Sequence, residues 1–233
     1  MAALSASNEN YLKAIFDLTH RGTPVTTGAL ASELGVSSPS ATAMLKRLEQ
    51  TELVERPNPR RVRLTARGER AALQVVRRHR LLETFLARVL EVPWDEVHAE
   101  AEVLEHALSD RLEQRIDALL GHPDRDPHGD PIPPRSGAHL EAWGEPLAAA
   151  TAGQRFRVER VSDRDSAALR YLGELGVLPG ADLWVDEVSP FGGPVWVVLS
   201  GGARHALGVP LTRMVHGRIG ERADAESGNG GAP

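Results

Sequence analysis

The chain has 233 residues, 41% of them hydrophobic and 25% charged, enough to bury one full core and to divide into two domains. It has no Cys, which excludes disulfides and thiolate metal sites, no apolar run near the ~20 residues of a membrane span, and no signal-peptide pattern in MAALSASNEN, so a cytoplasmic protein is expected. The net charge of −5 divides into +6 over residues 1–80 and −11 over the rest, which argues for an anionic partner met by one end only.

Residues 8–20, NENYLKAIFDLTH, place apolar side chains at 11, 12, 15, 16 and 18, a helical pattern. In TTGALASELGVSSPSATAMLKRLEQTELV, Thr27 is expected to cap a short helix ending at Leu34, and Gly35 to stop it. Ser37 then caps a second helix with Pro39 in its first turn, and Leu34, Val36, Ala41, Leu45 and Leu48 form its expected buried side. Two helices across a short Gly-containing turn make a helix-turn-helix. In LVERPNPRRVRLTARGERA, Val62 and Leu64 alternate with Arg61 and Arg63 as in a half-buried strand, Pro57-Asn58-Pro59 marks a hairpin tip, and Thr65 caps the next helix. The combination reads as a winged helix.

The start of the second helix would present Ser37, Pro39, Ser40, Thr42 and Ala43 to the DNA major groove, where small hydroxyl and methyl groups suit thymine methyls and groove edges. Lys46 and Arg47 are placed for phosphates, and Arg56, Arg60, Arg61 and Arg63 on the wing for the backbone or a minor groove.

Two long helices are expected next, over 66–90 and 94–120. Leu104, Leu108, Leu112, Ile116 and Leu119 extend an apolar stripe further than one winged helix can cover, so it is read as a homodimer interface. GHPDRDPHGDPIPPRSG (121–137) reads as an ordered Pro-rich connector, with His128 a structural loop histidine. Beyond residue 150, the runs RFRVERV, DLWVDEV, VWVVLSG, HALGV and MVHGRI, interrupted by the helix-like RDSAALRYLGELG, suggest a five-stranded barrel. The tail ADAESGNGGAP is expected to be disordered.

The stretch VHAEAEVLEHALSD (97–110) carries the chemistry. His98, Glu102, Glu105 and His106 fall on one helical arc beside an apolar stripe, and carboxylates so crowded repel one another unless a cation sits among them. On the preceding helix His79 and Glu83, four residues apart, project from one side. His98 and His106 are about 12 Å apart along a helix axis, too far to share one ion. The expected division is therefore His79, Glu83 and His98 in one site, with Glu102, Glu105 and His106 in another that still lacks a ligand.

On ENYL (9–12), GVSSPSATAMLKRLE (35–49), LTARG (64–68), RHRLLETFL (78–86), VHAEAEVLEHALSD (97–110) and PHGDPIP (127–133), the chain resembles the diphtheria toxin repressor family of metal-dependent transcriptional regulators over nearly its whole length. The resemblance implies a mainly α fold with a small β domain. Its parts are a winged helix-turn-helix DNA-binding domain (1–73), a helical metal-binding and dimerisation domain (74–140), a linker (141–150), an SH3-like barrel (151–222) and the tail (223–233). It assigns His79, Glu83 and His98 to an ancillary site, and Asn10, Glu102, Glu105 and His106 to the primary, regulatory one. By alignment it offers Asp165 as a further ancillary ligand. It also implies a repressor of metal-uptake genes that binds a pseudo-palindromic operator as a dimer once metal is bound.

Carboxylate, imidazole and carbonyl oxygen without sulfur suit Mn²⁺, and so imply the manganese-responsive branch; Zn²⁺, Co²⁺ or Cd²⁺ would substitute, and Fe²⁺ with an iron-responsive function is the alternative. That branch usually has aspartate where this chain has Asn10, and the family often has glutamine where it has Ala43. A metal-dependent hydrolase is the rival from another class. Helical zincins place two histidines around a glutamate, whereas this chain reads E-x-x-E-H with Glu102 in place of the first histidine, so no enzyme is expected. A winged helix sensing a small organic ligand would leave the His/Glu array unexplained.

Overall fold

The computed structural model describes residues 4–58, 60–137 and 143–222. The expected turn residue Pro59, linker residues 141 and 142, and the tail 223–233 lie outside the described residues. The chain forms two compact units. One comprises the described residues within Met1–Val92, Val97–Asp126 and Pro131–Ala142, and the other those within Pro93–Glu96, Pro127–Asp130 and Trp143–Pro233.

The first unit opens with α1 (Ala6–His20), capped by Ser5, whose side chain accepts the Asn8 amide. A helix-turn-helix follows, α2 (Thr27–Glu33) and α3 (Ser38–Gln50). Thr26 caps α2 rather than Thr27: its backbone is extended and its hydroxyl accepts the Ala29 amide at 3.0 Å. Gly35 turns the chain at φ 63°, a left-handed conformation that favours glycine, and Ser37 caps α3 as expected. The buried side of α3 is Ala41, Leu45 and Leu48; Val36 is exposed, because the turn carries it away from the core. The antiparallel wing pairs β1 (Val54–Asn58) with β2 (Arg61–Leu64). Its Val54 and Val62 join Leu12, Ile15, Leu30, Leu45 and Leu48 in the core.

From Thr65, which caps it, α4 runs over Ala66–Val89. Its Gly68 passes so close to the wing that a Cβ there would lie 1.8 Å from the Leu53 carbonyl oxygen. The second long helix expected over 94–120 is two helices, α5 (Val97–Leu104) and α6 (Asp110–Leu119). A turn over residues 105–107 ends α5, and Ser109, extended at ψ 150°, caps α6 by accepting the Leu112 amide, with Asp110 and Glu113 in the first turn complementing the helix dipole. The stripe is divided accordingly. Leu108 and Ile116 are buried against Leu81, Leu82 and Leu86, whereas Leu104, Leu112 and Leu119 are exposed. Arg77 fastens α4 to α6 through Glu113 (3.0 Å) and Asp117 (2.8 Å), and reaches the Pro133 carbonyl at 2.8 Å.

The second unit is a single antiparallel sheet of six strands rather than five, in the order β3-β8-β4-β5-β6-β7. These are β3 (Glu145–Pro146), β4 (Gln154–Val161), β5 (Asp182–Val188), β6 (Val195–Leu199), β7 (Arg204–Leu207) and β8 (Val215–Arg222). The added strand is β3, two residues with no alternation to betray them. Helices α7 (Ser166–Glu174) and α8 (Val209–Met214) complete it, and Phe156, Leu169, Leu172, Leu183 and Val197 are among its fully buried core. Two outlying segments belong to this unit: buried His128 donates Nε2–H to the Trp94 carbonyl at 2.7 Å, and its own carbonyl accepts the Val161 amide. Among the described residues no helix is long and apolar enough to cross a membrane.

Candidate metal centre

Six of the eight nitrogen and oxygen donors singled out in the sequence converge within the first unit. From α4, His79 directs Nε2 to Glu83 (2.9 Å) and to His98 Nδ1 (3.1 Å), and Nδ1 to Glu105 (2.6 Å). His98, on α5, also lies 3.1 Å from the same Glu83 oxygen and 3.7 Å from Glu102. Glu105 and His106 stand in the turn beyond α5, where Glu105 Oε1 lies 3.4 Å from His106 Nε2. The expected separation into two sites is incomplete. His79 touches members of both, because α4 packs against α5 and the imidazole offers one ring nitrogen to each group.

Asn10, the seventh donor, extends from α1, and its Oδ1 is wholly enclosed with no hydrogen-bond partner among the described residues, as is Asn8 Oδ1. His106 Nε2 is enclosed in the same way, while Nδ1 lies 2.6 Å from Glu9. A histidine that donates one ring N–H to a carboxylate and keeps the other nitrogen free has the form of a metal ligand. One atom each from His79, Glu102 and Glu105 fall within 4.8 Å of one another. The residues present therefore fit a divalent cation: ligand atoms of His79, Glu102 and Glu105 converge, and the enclosed His106 Nε2 lies beside Glu105.

Two further residues reach this group. Glu9 holds His106, and Lys13 lies between the carboxylates, with Nζ 2.6 Å from Glu102 Oε1 and 2.7 Å from Glu105 Oε1. Both lie on α1, and no local pattern marks them, since these partners are 89 to 97 residues away in sequence. Burial disfavours the Lys13 ammonium, but Glu105 and Glu102 outweigh it and raise its pKa. Burial likewise opposes the charge on His79, yet Glu83 and a hydrogen bond to Glu105 push its pKa up to about 9 against the lowering effect of Lys13. Glu105, fully enclosed, would be raised by burial, but its bonds to His79 and Lys13 hold it below the ordinary carboxylate range. Asp165 lies in the second unit, where its carboxylate caps α7 by accepting the Ala168 amide at 3.0 Å.

The helix-turn-helix presents the other candidate surface. Ser37, Pro39, Ser40, Thr42, Ala43, Lys46 and Arg47 are all exposed along α3, as are Arg60, Arg61 and Arg63 on the wing. Ser37 and Ser40 share a hydroxyl hydrogen bond (2.8 Å), and Thr42 bonds back to the Ser38 carbonyl (2.9 Å). Arg56 is half-buried, 4.0 Å from Glu49, and packs the wing onto α3.

A winged helix-turn-helix continuous with a helical cluster of His and Glu, followed by a small β unit, defines a DNA-binding regulator rather than an enzyme. Three family profiles match in that order: "Iron dependent repressor, N-terminal DNA binding domain" over residues 3–61, "Iron dependent repressor, metal binding and dimerisation domain" over 65–134, and "FeoA domain" over 145–217. The iron-dependent repressor IdeR of Mycobacterium tuberculosis (strain ATCC 25618 / H37Rv) is 34% identical over 218 residues, 86% of this chain and 92% of the relative. Among solved structures, a manganese-dependent transcriptional repressor in complex with manganese shares 42% identity at TM-score 0.83, covering 91% of this chain and 99% of that one. ScaR with bound Zn²⁺ shares 30% identity at TM-score 0.78, covering 92% and 99%. The chain belongs to the iron-dependent repressor family, that of the diphtheria toxin repressor, whose members are metal-dependent transcriptional repressors.

Proposed function

We propose that this protein is a manganese-responsive repressor that binds a pseudo-palindromic operator as a homodimer when divalent metal fills its sites. The observation that carries the reading is the donor set around Glu105. It combines two carboxylates and imidazole without sulfur, α1 adds Asn10 with its enclosed amide oxygen, and hard oxygen ligands suit Mn²⁺. The 42% identity to a manganese-dependent repressor points the same way. Asn10, Glu102, Glu105 and His106 form the primary site, and His79, Glu83 and His98 the ancillary one. When bound, a divalent cation supplies the charge that lets Glu102 and Glu105 lie side by side.

Asn10 and Glu9 then tie α1, and with it the DNA-reading α3, to the helices that carry the exposed Leu104, Leu112 and Leu119. Those three leucines are the surface offered to a second copy. Ser37, Pro39, Ser40, Thr42 and Ala43 meet base edges, while Lys46, Arg47, Arg60 and Arg61 meet phosphates. The second reading, an iron-responsive repressor, is favoured by the 34% identity to IdeR.

Fluorescence anisotropy of an operator-like duplex with Mn²⁺, Fe²⁺, Zn²⁺ or chelator, for wild type and Glu102→Ala, tests the proposal. Tight binding with Mn²⁺ that is lost in chelator and in the variant is expected. Equal binding in every condition would sink it, and tight binding with Fe²⁺ alone would select the second reading.

A further inference from the structure

We infer that Lys13 is a tethered cation that competes with metal for the primary site and sets how much metal that site requires. The inference rests on the metal reading above and deepens it. Lys13 is buried on α1, and its ammonium lies where the donors converge, 2.6 Å from Glu102, 2.7 Å from Glu105 and 3.4 Å from His79 Nδ1. Those partners are 89, 92 and 66 residues away in sequence, so the contact belongs to the assembled unit and not to local helix geometry.

An ion bound by the same carboxylate oxygens would sit within about 2–2.6 Å of each, inside the volume the ammonium fills. Two cations so close repel strongly in a buried site, so the ion and the ammonium exclude each other. Because the lysine is part of the chain, its effective concentration is fixed, and only metal supplied in sufficient excess displaces it.

The sequence adds a second, independent observation. Of its 27 basic residues other than histidine, 25 are Arg and only Lys13 and Lys46 are Lys. A chain that writes nearly every cation as arginine places a lysine here, a compact point charge set between Glu102, Glu105 and His79. On the same helix, Asn10 supplies an uncharged oxygen. The α1 contribution to the site is thus a competitor and a neutral ligand, which together weaken metal binding.

The same scarcity makes the test clean. In the full-length protein, amine acetylation followed by peptide mass spectrometry compares Lys13 with exposed Lys46, with and without Mn²⁺. Lys13 is expected to be protected without metal and to become reactive with it, while Lys46 reacts throughout. Electron paramagnetic resonance of free Mn²⁺ gives affinities for wild type, Lys13→Met and Glu102→Ala. Lys13→Met is expected to bind about tenfold more tightly, the reciprocal of the cost that the lysine imposes. Equal protection of Lys13 in both conditions would overturn the inference, and the labelling needs no variant to fold. Affinity in Lys13→Met equal to or weaker than wild type, with Glu102→Ala defective, would overturn it while leaving the metal reading intact. Unchanged binding by Glu102→Ala would remove the metal reading, and the role of Lys13 with it.

Discussion

Glu105 offers the sharpest test of how the helical unit is held together. Its carboxylate is fully enclosed, with Oε1 2.7 Å from Lys13 Nζ and Oε2 2.6 Å from His79 Nδ1, and so joins α1 and α4 through one side chain. Glu105→Gln keeps the shape and changes the chemistry. The amide can offer its oxygen to Lys13 or to His79, but its NH₂ must then face the other donor, and the negative charge between two cations is gone. Breaking a buried pair from one side costs about 3–5 kcal/mol, because the remaining charge stays buried and uncompensated. That is a large part of a typical stability of about 5–15 kcal/mol, and corresponds to a fall in Tm of roughly 10 °C. All four Trp (94, 143, 184 and 196) belong to the second unit, so their fluorescence reports on the barrel, while circular dichroism at 222 nm reports on the helices. Denaturant titration in chelator, read by both signals, should show the helical transition moving to lower denaturant. A helical transition within about 1 kcal/mol of wild type would refute the view that Glu105 is the hinge pin of this network.

Three further outcomes are expected. With a folded pKa of about 9 against 6.5 unfolded, His79 stabilises the metal-free protein fully below pH 6.5, and loses that contribution of about 3 kcal/mol as pH rises through 9. Glu105, held low, acts oppositely at the acid end, so denaturation midpoints in chelator should peak between about pH 5 and 6.5; a rise from pH 6.5 to 9.5 would contradict the assignment. Gly68→Ala would push a Cβ to 1.8 Å from the Leu53 carbonyl, which also accepts the Thr65 amide, and should destabilise the winged helix by roughly 1–3 kcal/mol in a thermal melt. Lys46→Ala should weaken binding to all duplexes alike and reduce the slope of log K against log salt by about 1, whereas an effect confined to one sequence would move Lys46 from phosphate to base contact.

What the sequence disclosed depended on the range of the interaction. Ser37 and Thr65 cap the helices they were expected to cap, because capping is decided within three residues. His79 and Glu83 share a helix face for the same local reason. The break at Ser109 was visible as a poor helix former followed by Asp110, but the apolar stripe running through it argued for continuity and prevailed. Thr26 and Thr27 differ by one residue, the ordinary uncertainty of a helix end. Lys13 and Glu9 were out of reach, since their partners lie almost a hundred residues away, and a lysine four residues after a glutamate looks like any solvated helical pair. His79 as a link between the two groups required the packing of α4 on α5, which no periodicity reports.

The barrel is assembled from three separate stretches of chain, and that limits how it can be gained or lost over evolutionary time. A gene fragment beginning at Trp143 would leave the Val161 amide without the His128 carbonyl, and Gly173 without the Trp94 indole, which a Cβ there would meet at 2.8 Å. Gly129, whose would-be Cβ lies 1.9 Å from the Glu159 carbonyl, loses that steric reason to be glycine once the strand is deleted and keeps only its φ of 89°. Exon-like shuffling of this domain is therefore not a cut at one seam. A lineage that discards it must also rewrite residues 93–96 and 127–130, so remnants of those two segments should persist as a scar in any descendant that has shed its β unit.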